Sequence, residues 1–138
     1  MQWMRSIPLA SLEREMTREE AETHAEEWIS DWCARDIGRI VSHYAEDARF
    51  VSPVAARRTG NPLVVGREAL LDYWSGARGY GSFRFTLERV LWDDAKQEMA
   101  VVYTRDIDGR RDRACELFRF DEHGCVVAGE AMYGAEGV

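Results

Sequence analysis

Between Glu19 and Cys33 apolar residues recur at three- and four-residue steps: Ala21, Ala25, Trp28, Ile29, Trp32 and Cys33 share one face, with Glu19, Glu22, Glu26 and Glu27 opposite. That spacing predicts an amphipathic helix with two tryptophans inward. Its start is marked by Thr17-Arg18-Glu19-Glu20. In this Ser/Thr-x-x-Glu spacing hydroxyl and carboxylate each satisfy a free backbone N–H, so the helix should begin at about Thr17. Asp36 can cap a second, shorter helix carrying Ile37, Ile40, Val41 and Tyr44, the two forming a hairpin joined near Arg35.

From Ala48 the period drops to two, with Ala48, Phe50 and Ser52 on one face, until Pro53 removes a ladder donor. This predicts a short strand at a sheet edge. Pro53 to Gly66 contains Arg57-Arg58, Gly60-Asn61-Pro62 and Val64-Val65 and reads as a loop with turn chemistry. Arg67 to Ser75 predicts a third helix with Leu70, Leu71 and Trp74 inward. Beyond Gly79-Tyr80-Gly81 only strand patterns follow, over about Phe83 to Trp92, Glu98 to Ile107, Arg111 to Phe120 and Val126 to Tyr133.

Asp108-Gly109 favours a two-residue type I′ hairpin turn, which sets Ile107 opposite Arg110 and fixes the register. Counting outward pairs Arg105 with Asp112, Tyr103 with Ala114, Val101 with Glu116 and Met99 with Phe118, all on one face. Glu116 thereby acquires apolar company. The same carboxylate could instead make a structural salt bridge to the Arg57-Arg58 loop.

A chain of 138 residues suits one domain, here read as residues 17–138 behind an N-terminal extension of residues 1–16, in which Ser11 to Met16 could form a short helix. The 18 basic and 25 acidic side chains give a net charge of −7, which argues against a nucleic-acid partner, since such binding needs a basic face. Cys33, Cys115 and Cys125 form no C-x-x-C pair, and His24, His43 and His123, read as surface residues, form no H-x-x-x-H pair. No disulfide, metal or cofactor is therefore expected. The expected setting is a reducing cytoplasm, with no membrane-spanning segment.

Helix, helix, strand, helix and then a four-stranded meander resembles the nuclear transport factor 2-like fold, a cone-shaped α+β domain. In it three N-terminal helices pack on a curved, mainly antiparallel β-sheet around a pocket. The stretches Trp28 to Ile37, His43 to Phe50 and Gly66 to Leu71 look like this superfamily's helix hairpin, first strand and third helix. Phe118 to Val127 with Tyr133-Gly134 is similar to the closing hairpin of ketosteroid isomerase. The resemblance therefore points to a SnoaL-like or ketosteroid isomerase-like protein. It puts Ser52 at the isomerase's base aspartate, Glu116 at its protonated acid, Trp28 at the oxyanion-hole tyrosine and Trp74 at a supporting tyrosine. It also implies a homodimer through the outer sheet face, where Val102, Cys115 and Leu117 form an apolar stripe.

Glu116 and Tyr103 are accordingly the candidate catalytic residues, and burial beside Trp28, Phe118 and Trp74 should raise the Glu116 pKa. Trp28, Trp32, Tyr44, Phe50, Ser52, Trp74, Val101, Phe118 and Tyr133 are the candidate lining of a site for a small apolar ligand. The expected activity is that of an isomerase, cyclase or hydratase/dehydratase acting on an apolar carbonyl compound, without the isomerase's base. The alternative is a non-catalytic module that binds a hydrophobic ligand or serves dimeric assembly.

Overall fold

A computed structural model describes residues 15–137. Most of the extension, and with it residues 11–14 of the short helix expected over Ser11 to Met16, lies outside the described residues; Glu15 and Met16 are not helical. Helix α1 spans Arg18–Cys33, and its capping box is complete: the Thr17 hydroxyl accepts from the Glu20 backbone N–H at 3.2 Å, and Thr17 N donates to Glu20 Oε1 at 2.9 Å. Ala21, Ala25, Trp28 and Trp32 are buried, as the spacing requires. Asp36, whose side chain accepts from Arg39 N at 3.2 Å, caps α2, Ile37–Ser42. Between them Arg35 takes a left-handed φ of 53°. Its guanidinium donates to the carbonyls of Tyr80 at 2.6 Å and Gly81 at 3.2 Å, tying the helix hairpin to a distant turn.

His24 departs from the reading as a surface residue. It is 9% exposed on the inward side of α1, with His43, Phe118 and Phe120 rings around it at 5.0–5.7 Å. Its position three residues after Ala21 and four before Trp28 puts it on the apolar stripe, and the neighbouring glutamates masked that signal.

Strand β1 (Tyr44–Val51) is followed by helix α3 (Pro53–Thr59) and strand β2 (Leu63–Val65), where a loop was expected. The signals for α3 are local. Ser52 is its N-cap, Pro53 fills the first turn where its missing N–H costs nothing, and Gly60 ends it at φ 82°. The turn after it folds Leu63–Val65 back antiparallel onto β1, so the short β2 takes the edge and β1 lies inside the sheet, beside β6. Helix α4 (Arg67–Trp74) and a 3₁₀ turn (Ser75–Gly79) lead into the meander of β3 (Phe83–Asp93), β4 (Glu98–Ile107), β5 (Arg110–Phe120) and β6 (Val126–Glu136).

The six strands run in the order β2-β1-β6-β5-β4-β3, antiparallel throughout except for the parallel pair β1–β6. The β4–β5 register is the one counted from the turn, with Ile107 opposite Arg110 and Val101 opposite Glu116. Asp108 and Gly109 have φ of 50° and 84°, as a type I′ turn needs. Met99, Val101, Tyr103, Ala114, Glu116 and Phe118 are all buried on the inner face, against α1. Each large apolar side chain there contributes about 1.5–3 kcal/mol by leaving water. Gly129 of β6 lets the sheet close over Phe50, because a Cβ there would sit 3.1 Å from the Phe50 ring. Met16 exchanges two hydrogen bonds with the Gln97 side chain, at 2.8 and 3.2 Å, pinning the start of the described chain to the β3–β4 turn. No helix among the described residues is long and apolar enough to cross a membrane.

Candidate functional site around Glu116

The helices and the inner face of the sheet enclose a small pocket of about 90 Å³ with Glu116 in its wall. Trp28 and Trp32 reach it from α1, Trp74 from α4, Phe50 from β1, Tyr103 from β4 and Tyr133 from β6. Four further residues anticipated for the lining, Ser52, Val101, Phe118 and Tyr44, do not line it. Val101, Phe118 and Tyr44 are almost wholly buried, and Phe118 holds the Trp28 ring edge-on at 5.3 Å. Phe83, Phe85, Tyr73 and Tyr80 join the lining without having been singled out in the sequence. Phe83 and Phe85 alternate toward the same face at the start of β3, a period-two signal that could have found them.

Glu116 is 4% exposed, and it is the only carboxyl group among the described residues lining this pocket. The Tyr103 hydroxyl donates to its Oε1 at 3.3 Å. Burial pushes its pKa from 4.5 up to about 8, against the opposing pull of the Tyr103 hydrogen bond and the Arg105 charge. A carboxylate stranded among aromatic rings would lose its hydration, so the acid form is favoured at neutral pH. Tyr103 is driven well above its ordinary value, first by burial and then by the charge of Glu116, and stays a donor. The alternative, a salt bridge from Glu116 to the Arg57-Arg58 segment, is not formed. Arg105 instead makes a two-pronged pair with Asp112, at 2.8 and 2.7 Å, and lies 3.9 Å from the Tyr133 ring centre.

Ser52 has a different task from the aspartate it replaces. Its Oγ accepts from Val54 N at 3.1 Å and from Ala55 N at 3.4 Å, capping α3, and meets the Tyr73 hydroxyl at 2.8 Å. With its oxygen engaged by backbone donors and its ordinary hydroxyl chemistry, Ser52 is no base. The resemblance put a supporting tyrosine on Trp74. The hydroxyl that reaches this corner comes from its neighbour Tyr73, because one step along α4 turns the side chain from the core toward α3.

A polar group without a partner completes the site. The indole N–H of Trp32 is buried and lacks a hydrogen-bond partner among the described residues, whereas the buried Trp28 indole and Tyr44 hydroxyl face each other. An unpaired group of this kind is costly and calls for water or a ligand. With a neutral Glu116, the Trp32 indole and the guanidinium groups of Arg58 and Arg105 give the pocket lining several donors, which suits an oxygen carrying developing negative charge. No group of three or more His, Cys, Asp or Glu side chains placed to hold a metal occurs among the described residues.

The model of the SnoaL-like domain matches residues 25–128. The chain belongs to the SnoaL-like family. A SnoaL-like protein of unknown function from Burkholderia thailandensis E264 is similar at 30% identity over 87% of this chain and 99% of that one, with a TM-score of 0.78. A candidate ketosteroid isomerase from Kribbella flavida DSM 17836 shares the fold at 19% identity over 80% and 75% of the two chains, with a TM-score of 0.64. So does SalBIII, an epoxide hydrolase/cyclase-like enzyme of pyran-ring formation in salinomycin, at 16% identity over 86% and 95%, with a TM-score of 0.69. No curated protein matches the sequence. The SnoaL-like chain thus has the cone of helices on a curved, open sheet that the order of its elements implied.

Proposed function

We propose that this SnoaL-like protein is an enzyme of the isomerase, cyclase or hydratase/dehydratase type, working on a carbonyl compound with protonated Glu116 as its acid. The observation that carries the reading is the placement of Glu116: buried, uncharged at neutral pH and facing the pocket beside Tyr103. A pKa near 8 is close to working pH, where an acid–base group is most effective. Two structural neighbours, an epoxide hydrolase/cyclase-like enzyme and a candidate ketosteroid isomerase, are compatible with this class.

One carboxyl and no second carboxylate or histidine among the described lining residues restrict the chemistry to steps in which the proton given is also recovered. Dehydration of a β-hydroxyketone fits. The Glu116 acid gives its proton to the leaving hydroxyl as the C–O bond breaks and water departs. In the same concerted step the other carboxyl oxygen takes the α-proton as the C=C bond forms, so negative charge builds on the ketone oxygen and the acid is restored. The unpaired Trp32 indole N–H would stabilise the ketone oxygen, with Tyr103 holding the carboxyl in place. Thermal shift with enones, β-hydroxyketones and phenols, on wild type and Glu116→Gln, tests the reading. Shifts with the carbonyl compounds, and turnover of the hits reduced at least 100-fold in Glu116→Gln, are expected. Shifts with none of them, or turnover untouched by the substitution, would overturn it.

A second reading, binding without turnover, is favoured by the small inner volume and by the engagement of Ser52 as a cap; there carbonyl compounds would bind unchanged. For the assembly, we propose a homodimer through the outer sheet face, where Leu91, Leu117, Met132 and Val51 are exposed and a shallow groove of about 720 Å³ crosses the strands. Three unpaired thiols at Cys33, Cys115 and Cys125 support a reducing, cytoplasmic setting.

A further inference from the structure

A vestibule of about 560 Å³ lies outside the Glu116 pocket and shares Val54, Arg58, Tyr80, Arg105, Ile107 and Tyr133 with it, so the two cavities adjoin. Its walls are rich in charge, and the acidic groups are all engaged. Asp112 holds Arg105 in a two-pronged pair, and Glu136 holds Arg110 through two bonds at 3.0 and 2.8 Å. Asp108 accepts the backbone N–H groups of Gly81 and Ser82, both at 2.9 Å.

Three cations of the lining are left over: Arg111 on β5, and the pair Arg57 and Arg58. Arg57 and Arg58, in the last turn of α3, have no carboxylate at ion-pair distance among the described residues. Arg58 is held at the junction of vestibule and pocket. Its guanidinium donates to the Tyr80 hydroxyl at 3.4 Å and lies 5.8 Å from the Tyr73 ring centre. A cation at a helix C-terminus suits the helix dipole. That preference does not require both arginines to border a cavity that adjoins the pocket of a buried acid. In a chain of net charge −7, this unpaired pair makes the entrance locally attractive to anions.

Size points the same way. The inner pocket, at about 90 Å³, admits only the reacting end of a molecule, and the 560 Å³ vestibule must take the rest. We propose that the vestibule binds the anionic group of the ligand, a carboxylate or a phosphate, through Arg57 and Arg58, while a small carbonyl-bearing end enters the Glu116 pocket. The substrate class is then an oxo acid or oxo phosphate ester rather than a neutral, wholly apolar compound. This inference rests on the Glu116 reading for the position of the carbonyl end.

The test is a titration by tryptophan fluorescence, backed by thermal shift, of a panel of aryl and alkyl keto acids, their methyl esters and matching phosphate monoesters. The proteins are wild type, Arg57→Ala/Arg58→Ala, Arg57→Lys/Arg58→Lys and Glu116→Gln; both arginines are exposed, so the fold tolerates their loss. At low salt the acids or the phosphates bind at least tenfold more tightly than the esters. The gap closes in the double alanine variant, shrinks with added salt and is largely kept by the lysines. Whichever anion shows the larger gap names the group. Esters binding as tightly as both anions, or a preference that survives the double alanine variant, overturns the vestibule site. If the esters still bind in a Glu116-dependent way, the proposed function stands without it. An anion preference with no need for a carbonyl and no effect of Glu116→Gln keeps the vestibule and removes the Glu116 reading. Binding of none of the panel removes both.

Discussion

Replacing Glu116 by Gln should make the protein respond to pH in a way that isolates this one group. In the folded chain the carboxyl titrates at about 8, and once unfolded it returns to its ordinary 4.5. Between those values the native state binds the proton that the unfolded state has released, so stability present below pH 4.5 is lost as the pH rises through 8. At 1.36 kcal/mol per pH unit, wild type should lose about 3 kcal/mol by pH 7 and about 5 kcal/mol in all. Gln cannot ionise, so its stability carries no such loss. Its amide can still accept from Tyr103, but its NH₂ group gains no acceptor from the described lining, so a constant offset of about 1–3 kcal/mol is expected against it. The diagnostic quantity is therefore the change in the difference between variant and wild type. Urea unfolding followed by tryptophan fluorescence at half-unit steps from pH 4.5 to 8.5 should show that difference moving in favour of Gln by several kcal/mol. The reasoning is refuted by a difference that stays flat over this range.

The acid side should be governed by His24, whose pKa is lowered from 6.5 to about 4 by burial and by the neighbouring His43. Being neutral when folded, it contributes stability that is lost as the pH falls from 6.5 toward 4, by about 3 kcal/mol. His24→Phe should flatten that limb in the same unfolding experiment, and an unchanged limb would contradict the assignment. Ser52→Ala removes both the cap of α3 and the contact with Tyr73, and should cost about 1–3 kcal/mol. A variant as stable as wild type in urea would show the cap to be idle. For the proposed dimer, sedimentation should give twice the chain mass at micromolar concentration, and Leu117→Arg should give a monomer that is still folded. A wild-type monomer at high micromolar concentration would rule the interface out.

Much of this architecture was legible because its signals are local. A capping box, an Asp cap, a change of period from 3.6 to 2 and one Asp-Gly turn fix α1, α2 and the β4–β5 register, and that register alone carries Glu116 to the inner face. Helix α3 was missed although Ser52-Pro53 and Gly60 bracket it, because the paired arginines and the Gly-Asn-Pro run outweighed a helix of only seven residues. His24 was misplaced for a similar reason: Glu22, Glu26 and Glu27 dominate the reading of a helix whose buried stripe includes it. Tyr73, Tyr80 and the partition between a small inner pocket and a large vestibule depend on how α3, α4 and the 3₁₀ turn meet. Those are contacts between distant segments, for which no spacing along the chain provides a sign.

The central claim is that Glu116 is an uncharged acid at neutral pH. It is tested most directly by ¹³C NMR titration of its side-chain carboxyl, assigned by the signal lost in Glu116→Gln. A midpoint near 8 is expected. A midpoint near the ordinary 4.5 would mean a carboxylate at neutral pH and would contradict both the donor role and the proposed chemistry.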